Sequence, residues 1–162
     1  PIDHHNPSIS AAAWFYEDCY NEVISDGIHI HPEIVALIRK IKGPEKMIGI
    51  TDSLMAAGLP DGNYFIGFTP IYVKNHDCKI VGSNVRAGST LNAFDGFLNI
   101  KKFLSCNDLE SSHIWSKNPA KLLSLDKNIG TIETNKNADF LVLDKNYNLL
   151  ETYIIGKRCF KK

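Results

Sequence analysis

Two short segments of the sequence combine residue types that could carry acid–base or metal chemistry. The first comprises Asp26, Gly27, Ile28 and His29, and the second contains Asp52, directly after an apolar run. In α/β folds, functional side chains usually lie at the carboxyl ends of strands. A carboxylate in that position can act as a general base or a metal ligand. Both segments are therefore candidates for an active site.

Each segment also has a structural interpretation. The Asp26-Gly27 pair could form a turn that leaves His29 solvated, and Asp52 could cap the backbone turn after it. His29 and His31 are two residues apart, so on a strand they would face the same side and could bind a metal. Because a proline follows it, His31 is better explained as the residue before a helix.

A third candidate lies near residue 88, ahead of a predicted helix. Ser89 or Thr90 would be a natural N-cap, and backbone N–H groups there could bind an anion or a sugar oxygen. The segment has neither of the glycine-rich patterns that bind nucleotides. The other histidines are expected to be surface residues: His4, His5, His76 and His113.

The elements that position these residues follow from the hydrophobic pattern. A strand near Val23, a helix from Pro32 to about Gly43 and an apolar strand at 47–50 form a βαβ pattern, which predicts a parallel sheet. The apolar residues at helical spacing are Ile34, Leu37, Ile38 and Ile41.

Farther along the chain, 71–74 and 78–81 suggest a β-hairpin. A helix is predicted over 90–104, with its apolar face formed by Leu91, Phe94, Phe97, Leu98 and Phe103. A second helical region, 109–125, is interrupted at Pro119. Strands are predicted at 138–143, 149–155 and 158–160.

Composition narrows the class of protein. The 162 residues contain 18 Lys+Arg and 18 Asp+Glu, and this balance argues against a nucleic-acid partner. No apolar run approaches the roughly 20 residues needed to cross a membrane. Four cysteines without a C-x-x-C pair suggest buried free thiols in a cytoplasmic protein. Because Pro1 is not a methionine, we expect a fragment or a processed product.

Taken together, the blocks 1–5, 22–32, 50–62 and 87–91 closely resemble N-acetylglucosamine-6-phosphate deacetylases of the amidohydrolase superfamily. The most specific blocks are D-G-I-H at 26–29 and T-D-S-x-x-A-A-G-L-P-D-G at 51–62. The similarity runs in order through essentially the whole chain, although the block after residue 118 recurs in many amidohydrolases.

The resemblance implies an α/β fold in two parts. Residues 1–125 would be the C-terminal portion of a (β/α)8 barrel, about strands 7 and 8 with their helices. Residues 126–162 would be the C-terminal strands of a small β-sandwich domain. Open strand edges tend to pair, so we expect this chain to associate with the rest of a longer protein. The resemblance also implies that the full-length protein is a homodimer.

The implied reaction is hydrolysis of the acetamide of N-acetylglucosamine 6-phosphate to glucosamine 6-phosphate and acetate. By resemblance, Asp52 is the catalytic proton carrier and His29 binds the substrate. The resemblance also implies further substrate-binding residues, which are Asp26, Gly27, Ile28, Asn6, Arg86, Ala87 and Gly88.

The chain departs from the family pattern in several places. The family's ligands for a divalent metal, zinc or similar, would lie outside this chain, so the chain alone is expected to be inactive. Asn6 replaces an arginine that binds phosphate across a dimer interface, and Arg86 is a candidate substitute. Asn135 stands at a usual glycine position, where asparagine tolerates a positive φ.

Two other functions stay open at this point. The chain could be a non-catalytic interaction or assembly module derived from an amidohydrolase, which Asn6 favours slightly. It could also be a different amidohydrolase, such as a dihydroorotase-like enzyme. That alternative would explain the block after residue 118 but not the D-G-I-H block, and the presence of Asp52 and His29 favours the deacetylase.

Overall fold

The computed structural model describes residues 3–5 and 7–162, which form an α/β fold. Two compact units divide the chain, the first ending at Trp115 and the second beginning at Ser116. The substrate-binding prediction for Asn6 lies outside the described residues.

The first unit begins with the predicted βαβ arrangement. After helix α1 (Ile9–Phe15), strand β1 (Asn21–Ile24) leads to helix α2 (Pro32–Lys42), a 3₁₀ turn (Pro44–Lys46) and strand β2 (Met47–Ile50). Strands β1 and β2 pair in parallel, as the sequence pattern predicted.

Helix α2 has the predicted ends but a narrower buried face than the pattern suggested. Gly43 ends it at a φ of +74°. Val35 and Ile38 are buried with Val23, Met47, Ile100 and Ile114 in the main core. Three residues of the predicted apolar face are between 39% and 47% exposed, and these are Ile34, Leu37 and Ile41.

A four-stranded antiparallel sheet follows: β3 (Gly62–Ile66), β4 (Thr69–Lys74), β5 (Asp77–Ile80) and β6 (Arg86–Ser89). The predicted hairpin is confirmed as β4–β5, and both residues of its turn, Asn75 and His76, have positive φ as the twist of a two-residue hairpin requires. One face of this sheet buries Ile71, Val73 and Cys78 against Ala56.

Helix α3 (Ala93–Leu104) begins later than the sequence suggested. Its N-cap is Asn92, whose side-chain oxygen accepts the N–H of Asp95 at 2.8 Å. The N-cap prediction for Ser89 or Thr90 is therefore wrong, because Ser89 belongs to β6. The predicted face of α3 is also wrong in part, since the buried residues of this helix are Gly96 and Ile100.

The helical region after α3 is not broken at its proline. Helix α4 (Asp108–Ser112) continues through a π-helical segment (His113–Lys117) into α5 (Asn118–Leu122). Proline lacks an N–H, and its ring clashes with the carbonyl four residues back in a regular helix. The wider π-helical turn directly before Pro119 is consistent with that restriction.

An ion pair joins α2 to α4 in the first unit. Arg39 Nη2 donates to Glu110 Oε2 at 2.9 Å, and the Arg39 Nε donates to the other carboxylate oxygen. This hydrogen bonding lowers the pKa of the Glu110 carboxyl, despite partial burial that acts in the opposite direction.

The second unit contains α5 and an antiparallel sheet of β7 (Phe140–Leu143), β8 (Leu149–Ile154) and β9 (Lys157–Lys161). All three strands were predicted. The Phe140 and Tyr153 rings stack across β7 and β8 with centroids 4.5 Å apart. Asn135 has a φ of +70°, which confirms the expectation for this position.

All four cysteines are free thiols, as expected, but their burial differs. Cys78 is buried, whereas Cys159 is exposed, as are the other residues of β9. The prediction of a buried thiol is thus wrong for Cys159. Across the described residues, every helix is too short or too polar to cross a lipid bilayer.

Candidate active site

The carboxyl ends of β1 and β2 bring both candidate segments to one edge of the parallel sheet. Ile24 pairs with Ile50. Asp26 and Asp52 each follow a member of this pair by two residues. Because the strands are parallel, the two aspartates leave the sheet at the same edge.

The first segment is a tight turn organised by Asp26. Its Oδ1 accepts the backbone N–H groups of Ile28 at 2.9 Å and His29 at 2.8 Å. Its Oδ2 lies 2.6 Å from His29 Nδ1. The Asp26 side chain is 6% exposed and that of His29 is 16% exposed. The turn was expected, but the alternative of a solvated His29 is wrong.

Helix α3 holds this turn in place through two hydrogen bonds to Ser25, the residue before Asp26. The Ser25 hydroxyl donates to the carbonyl of Gly96 at 3.1 Å, and the Ser25 carbonyl accepts from Asn99 Nδ2 at 2.8 Å. Ser25 is fully buried. Sequence reasoning missed both residues, because each bond joins positions more than 70 apart and no local pattern marks them.

Asp52 presents its carboxylate in a different environment. Its backbone has a φ of +49°, and its side chain is exposed. Among the described residues, none donates a hydrogen bond to the carboxylate. The capping alternative for Asp52 is wrong, since the N–H of Ser53 is directed to Thr51 Oγ1 at 3.3 Å.

Strand β6 holds the Asp52 segment through Ser89. The Ser89 N–H donates to the Asp52 carbonyl at 2.8 Å, and the Leu54 N–H donates to the Ser89 carbonyl at 3.0 Å. The hydroxyl of Ser89 donates to the carbonyl of Thr51. The N–H of Ser89 therefore holds the backbone of Asp52 and is not available to bind an anion.

The candidates on β6 have separate surroundings. Gly88 approaches Asp52, whereas Ala87 packs against the cluster that contains Cys78. Arg86 Nε donates to Asp77 Oδ1 at 2.9 Å. Partial burial raises the pKa of Asp77, but hydrogen bonds from Arg86 and Lys79 outweigh it and lower the pKa overall.

An open hollow of about 490 Å³ adjoins His29. It is lined by His29, His31 and Glu22 together with apolar side chains of α1 and α2. Asp52 does not line this hollow. The structure thus places the two strongest candidates at one sheet edge, with His29 alone bordering the cavity.

The described residues do not fit a metal centre of their own. No three His, Cys, Asp or Glu side chains come together within 3–5 and 7–162 in a way that could hold a metal ion. His31 Nδ1 instead accepts the N–H of Glu33 at 3.3 Å at the start of α2. This arrangement supports the helix-start interpretation of His31 over the metal pair.

Gly88→Ala tests whether β6 positions Asp52. Gly88 has a φ of +133°, and an added Cβ would lie 2.8 Å from Leu54 Cδ2 and 3.1 Å from the Asp52 carbonyl oxygen. We expect a loss of about 1–2 kcal/mol in the free energy of unfolding. Displacement of Asp52 should also lower any turnover measured for the full-length protein.

Gly82→Ala is the matched control, because its φ is +77° but no atom lies within 4 Å of the added Cβ. Gly82→Ala should introduce backbone strain, as Gly88→Ala does, but it should leave the turnover unchanged. Urea unfolding and steady-state kinetics measure the two effects. Equal turnover in both variants would contradict the proposed role of Gly88.

The fold and this arrangement define an α/β protein whose histidine and carboxylate groups are displayed at the carboxyl edge of parallel strands, as in many enzymes of this architecture. Residues 15–159 match the family described as the Amidohydrolase family. The chain belongs to the amidohydrolase family.

Individual relatives support a narrower similarity. The chain is 31% identical over 160 residues to N-acetylglucosamine-6-phosphate deacetylase of Bacillus subtilis, covering 99% of this chain and 40% of that protein. It is 27% identical over 156 residues to N-acetylgalactosamine-6-phosphate deacetylase of Escherichia coli O157:H7, covering 96% and 41%.

A solved structure extends the similarity to the fold. The crystal structure of N-acetylglucosamine-6-phosphate deacetylase from Thermotoga maritima is 32% identical and has a TM-score of 0.93, covering 100% of this chain and 44% of that one. The chain spans about 40% of the length of the two curated relatives named above.

Proposed function

We propose that the whole protein hydrolyses the acetamide of N-acetylglucosamine 6-phosphate to glucosamine 6-phosphate and acetate. The observation that carries this proposal is the exposed Asp52 carboxylate, held beside β6 at the same sheet edge as the Asp26–His29 pair. The similarity to deacetylases over almost the whole chain supports it.

The architecture of the whole protein forms part of the proposal. Residues 1–125 would contribute about strands 7 and 8 of a (β/α)8 barrel, and 126–162 would contribute strands of a small β-sandwich. The parallel β1–β2 pair and the antiparallel β7–β9 sheet support this division. A homodimer in the cytoplasm completes the proposal by family resemblance.

Asp52 would serve as the proton carrier in this reaction. Amide hydrolysis requires a proton to be removed from the attacking water and then delivered to the leaving nitrogen. A carboxylate without a hydrogen-bond donor from any described residue is available for both transfers. His29 would hold the sugar or the acetamide through the ring nitrogen that Asp26 does not contact.

Amidohydrolases generally depend on a divalent metal. Such an ion polarises a carbonyl and lowers the pKa of a bound water. The described residues do not form its site, so we propose that the ligands belong to the part of the whole protein outside these 162 residues.

Recognition of the phosphate is the part of this proposal in which the chain differs most from the family pattern. Asn6 lacks the charge of the arginine expected there, and Arg86 is engaged by Asp77 through Nε. The remaining guanidinium nitrogens of Arg86 could still meet an anion, and its side chain is 40% exposed.

Acetate release by the full-length protein tests the function. The substrates are N-acetylglucosamine 6-phosphate, N-acetylgalactosamine 6-phosphate and unphosphorylated N-acetylglucosamine. A hydrogen bond to a charged group is worth about 1.5–3 kcal/mol, so we expect at least about a tenfold preference for the phosphorylated glucosamine derivative over the unphosphorylated sugar.

Equal turnover of the phosphorylated and unphosphorylated sugars would contradict phosphate selectivity. A preference for the galactosamine derivative would reassign the sugar while retaining the reaction. Release of acetate from none of the three would favour the non-catalytic module, and hydrolysis of dihydroorotate instead would favour the other amidohydrolase.

A further inference from the structure

Both carboxylate oxygens of Asp26 contact groups of its own turn. Oδ1 accepts two backbone N–H groups, and Oδ2 meets the imidazole of His29 at 2.6 Å. The side chain is almost fully buried. Every oxygen of this carboxylate is thus committed, which leaves it poorly placed to contact a sugar.

The donors around Asp26 define which nitrogen of His29 carries a proton. An ionised carboxylate can only accept hydrogen bonds, so Nδ1 must be the donor across the 2.6 Å contact. In the neutral ring, the second nitrogen, Nε2, then has a lone pair and accepts a hydrogen bond.

We propose that Asp26 is a positioning residue, which acts through His29 and does not touch the substrate. It orients the ring and holds the neutral imidazole as the Nδ1–H tautomer. Nε2 of His29 then accepts a hydrogen bond from a hydroxyl or an amide N–H of an N-acetylated sugar. This last step rests on the proposed function, whereas the tautomer does not.

The tautomer can be measured directly in the full chain labelled with ¹⁵N. Long-range ¹H–¹⁵N correlation spectra distinguish protonated from unprotonated ring nitrogens, and loss of signals in His29→Gln assigns them. We expect the neutral ring to carry its proton on Nδ1. Protonation of Nε2 in the unmodified protein would overturn the proposal without any need for a further variant.

Asp26→Asn reverses the polarity of this contact and keeps the turn. The amide oxygen can still accept the N–H groups of Ile28 and His29, while the amide nitrogen faces Nδ1 as a donor. We expect His29 to switch to the Nε2–H tautomer. An unchanged tautomer would contradict the proposal.

Asp144→Asn is the matched control. Asp144 Oδ1 also accepts two backbone N–H groups, from Asn146 at 2.7 Å and Asn148 at 2.9 Å, in a turn without histidine. This variant should leave the His29 signals and the turnover unchanged. A similar change in His29 in both variants would show that the effect is not specific to Asp26.

Kinetics separate a positioning role from a general structural one. We expect Asp26→Asn to lower kcat/KM about 10–100-fold, by analogy with the loss of a group that orients a metal-ligating histidine. In a His29→Ala background it should add little, because its effect passes through the ring. An equal loss in both backgrounds would overturn the proposal. If the unmodified protein deacetylates no sugar, the proposed function fails while the spectra still decide the tautomer.

Discussion

Asp52→Asn is expected to reduce kcat for deacetylation by about 10²–10⁴-fold, the usual contribution of a group that transfers protons. An amide has nearly the volume of a carboxylate but cannot take a proton from water at neutral pH. Because substrate contacts outside the reacting centre are retained, KM should change little. Steady-state kinetics on the full-length protein measure both constants.

The loss should not come from unfolding. Asp52 has a φ of +49°, a conformation that asparagine also adopts readily. The contact with Ser89 uses the backbone carbonyl and does not depend on the side chain. Thermal unfolding of Asp52→Asn should therefore match that of the unmodified protein.

Asp126→Asn provides the control for a change of charge, since Asp126 is exposed and lies in the second unit. It should retain full activity. An Asp52→Asn variant with near-normal kcat would show that another group transfers the proton, and the proposed mechanism would then be wrong.

The sequence predicted the elements that depend on local pattern. The βαβ arrangement, the β4–β5 hairpin and the three C-terminal strands follow from periodicity and turn residues over short windows. The same reasoning located Asp26, His29 and Asp52 at strand ends. It could not show that the Asp26 carboxylate binds the ring of His29, because an Asp-Gly turn can place the next side chains in several directions.

The errors come from contacts between distant parts of the chain. Residues 87–90 were expected to lead directly into a helix, but Ser89 pairs with the Asp52 segment instead, and β6 is formed. The predicted face of α3 omitted both of its buried residues, Ile100 and Gly96. Glycine carries no hydrophobic signal, so only the structure reveals which side chain packs against it.

Gly96→Ala is expected to destabilise the first unit by about 3 kcal/mol, at the upper end of the usual cost of overpacking. An added Cβ would lie 2.1 Å from Trp115 Cζ2. On an open helix face the same substitution would stabilise by roughly 0.5–1 kcal/mol. Because of the contact with Trp115, we expect the substitution at Gly96 to destabilise the protein instead.

The indole cannot move aside easily, because its other edge contacts a second glycine. A Cβ on Gly49 in β2 would lie 2.3 Å from Trp115 Cε2. The ring is therefore held between β2 and α3, and α3 must shift to admit a methyl group. Since the Gly96 carbonyl accepts the Ser25 hydroxyl, that shift should also displace the turn that carries Asp26.

Urea unfolding of the full chain measures the stability loss, with Gly62→Ala as the control. Gly62 also lies in a regular element, and its added Cβ would meet only Tyr64, at 3.9 Å. We expect a lower unfolding midpoint with an unchanged slope for Gly96→Ala and little change for Gly62→Ala. Replacing Trp115 with leucine in the Gly96→Ala background should recover part of the loss, because the smaller side chain leaves room for the methyl group. A Gly96→Ala variant as stable as the unmodified protein would show that the indole can move to another position. The expected shift of α3, and with it the displacement of the turn that carries Asp26, would then be wrong.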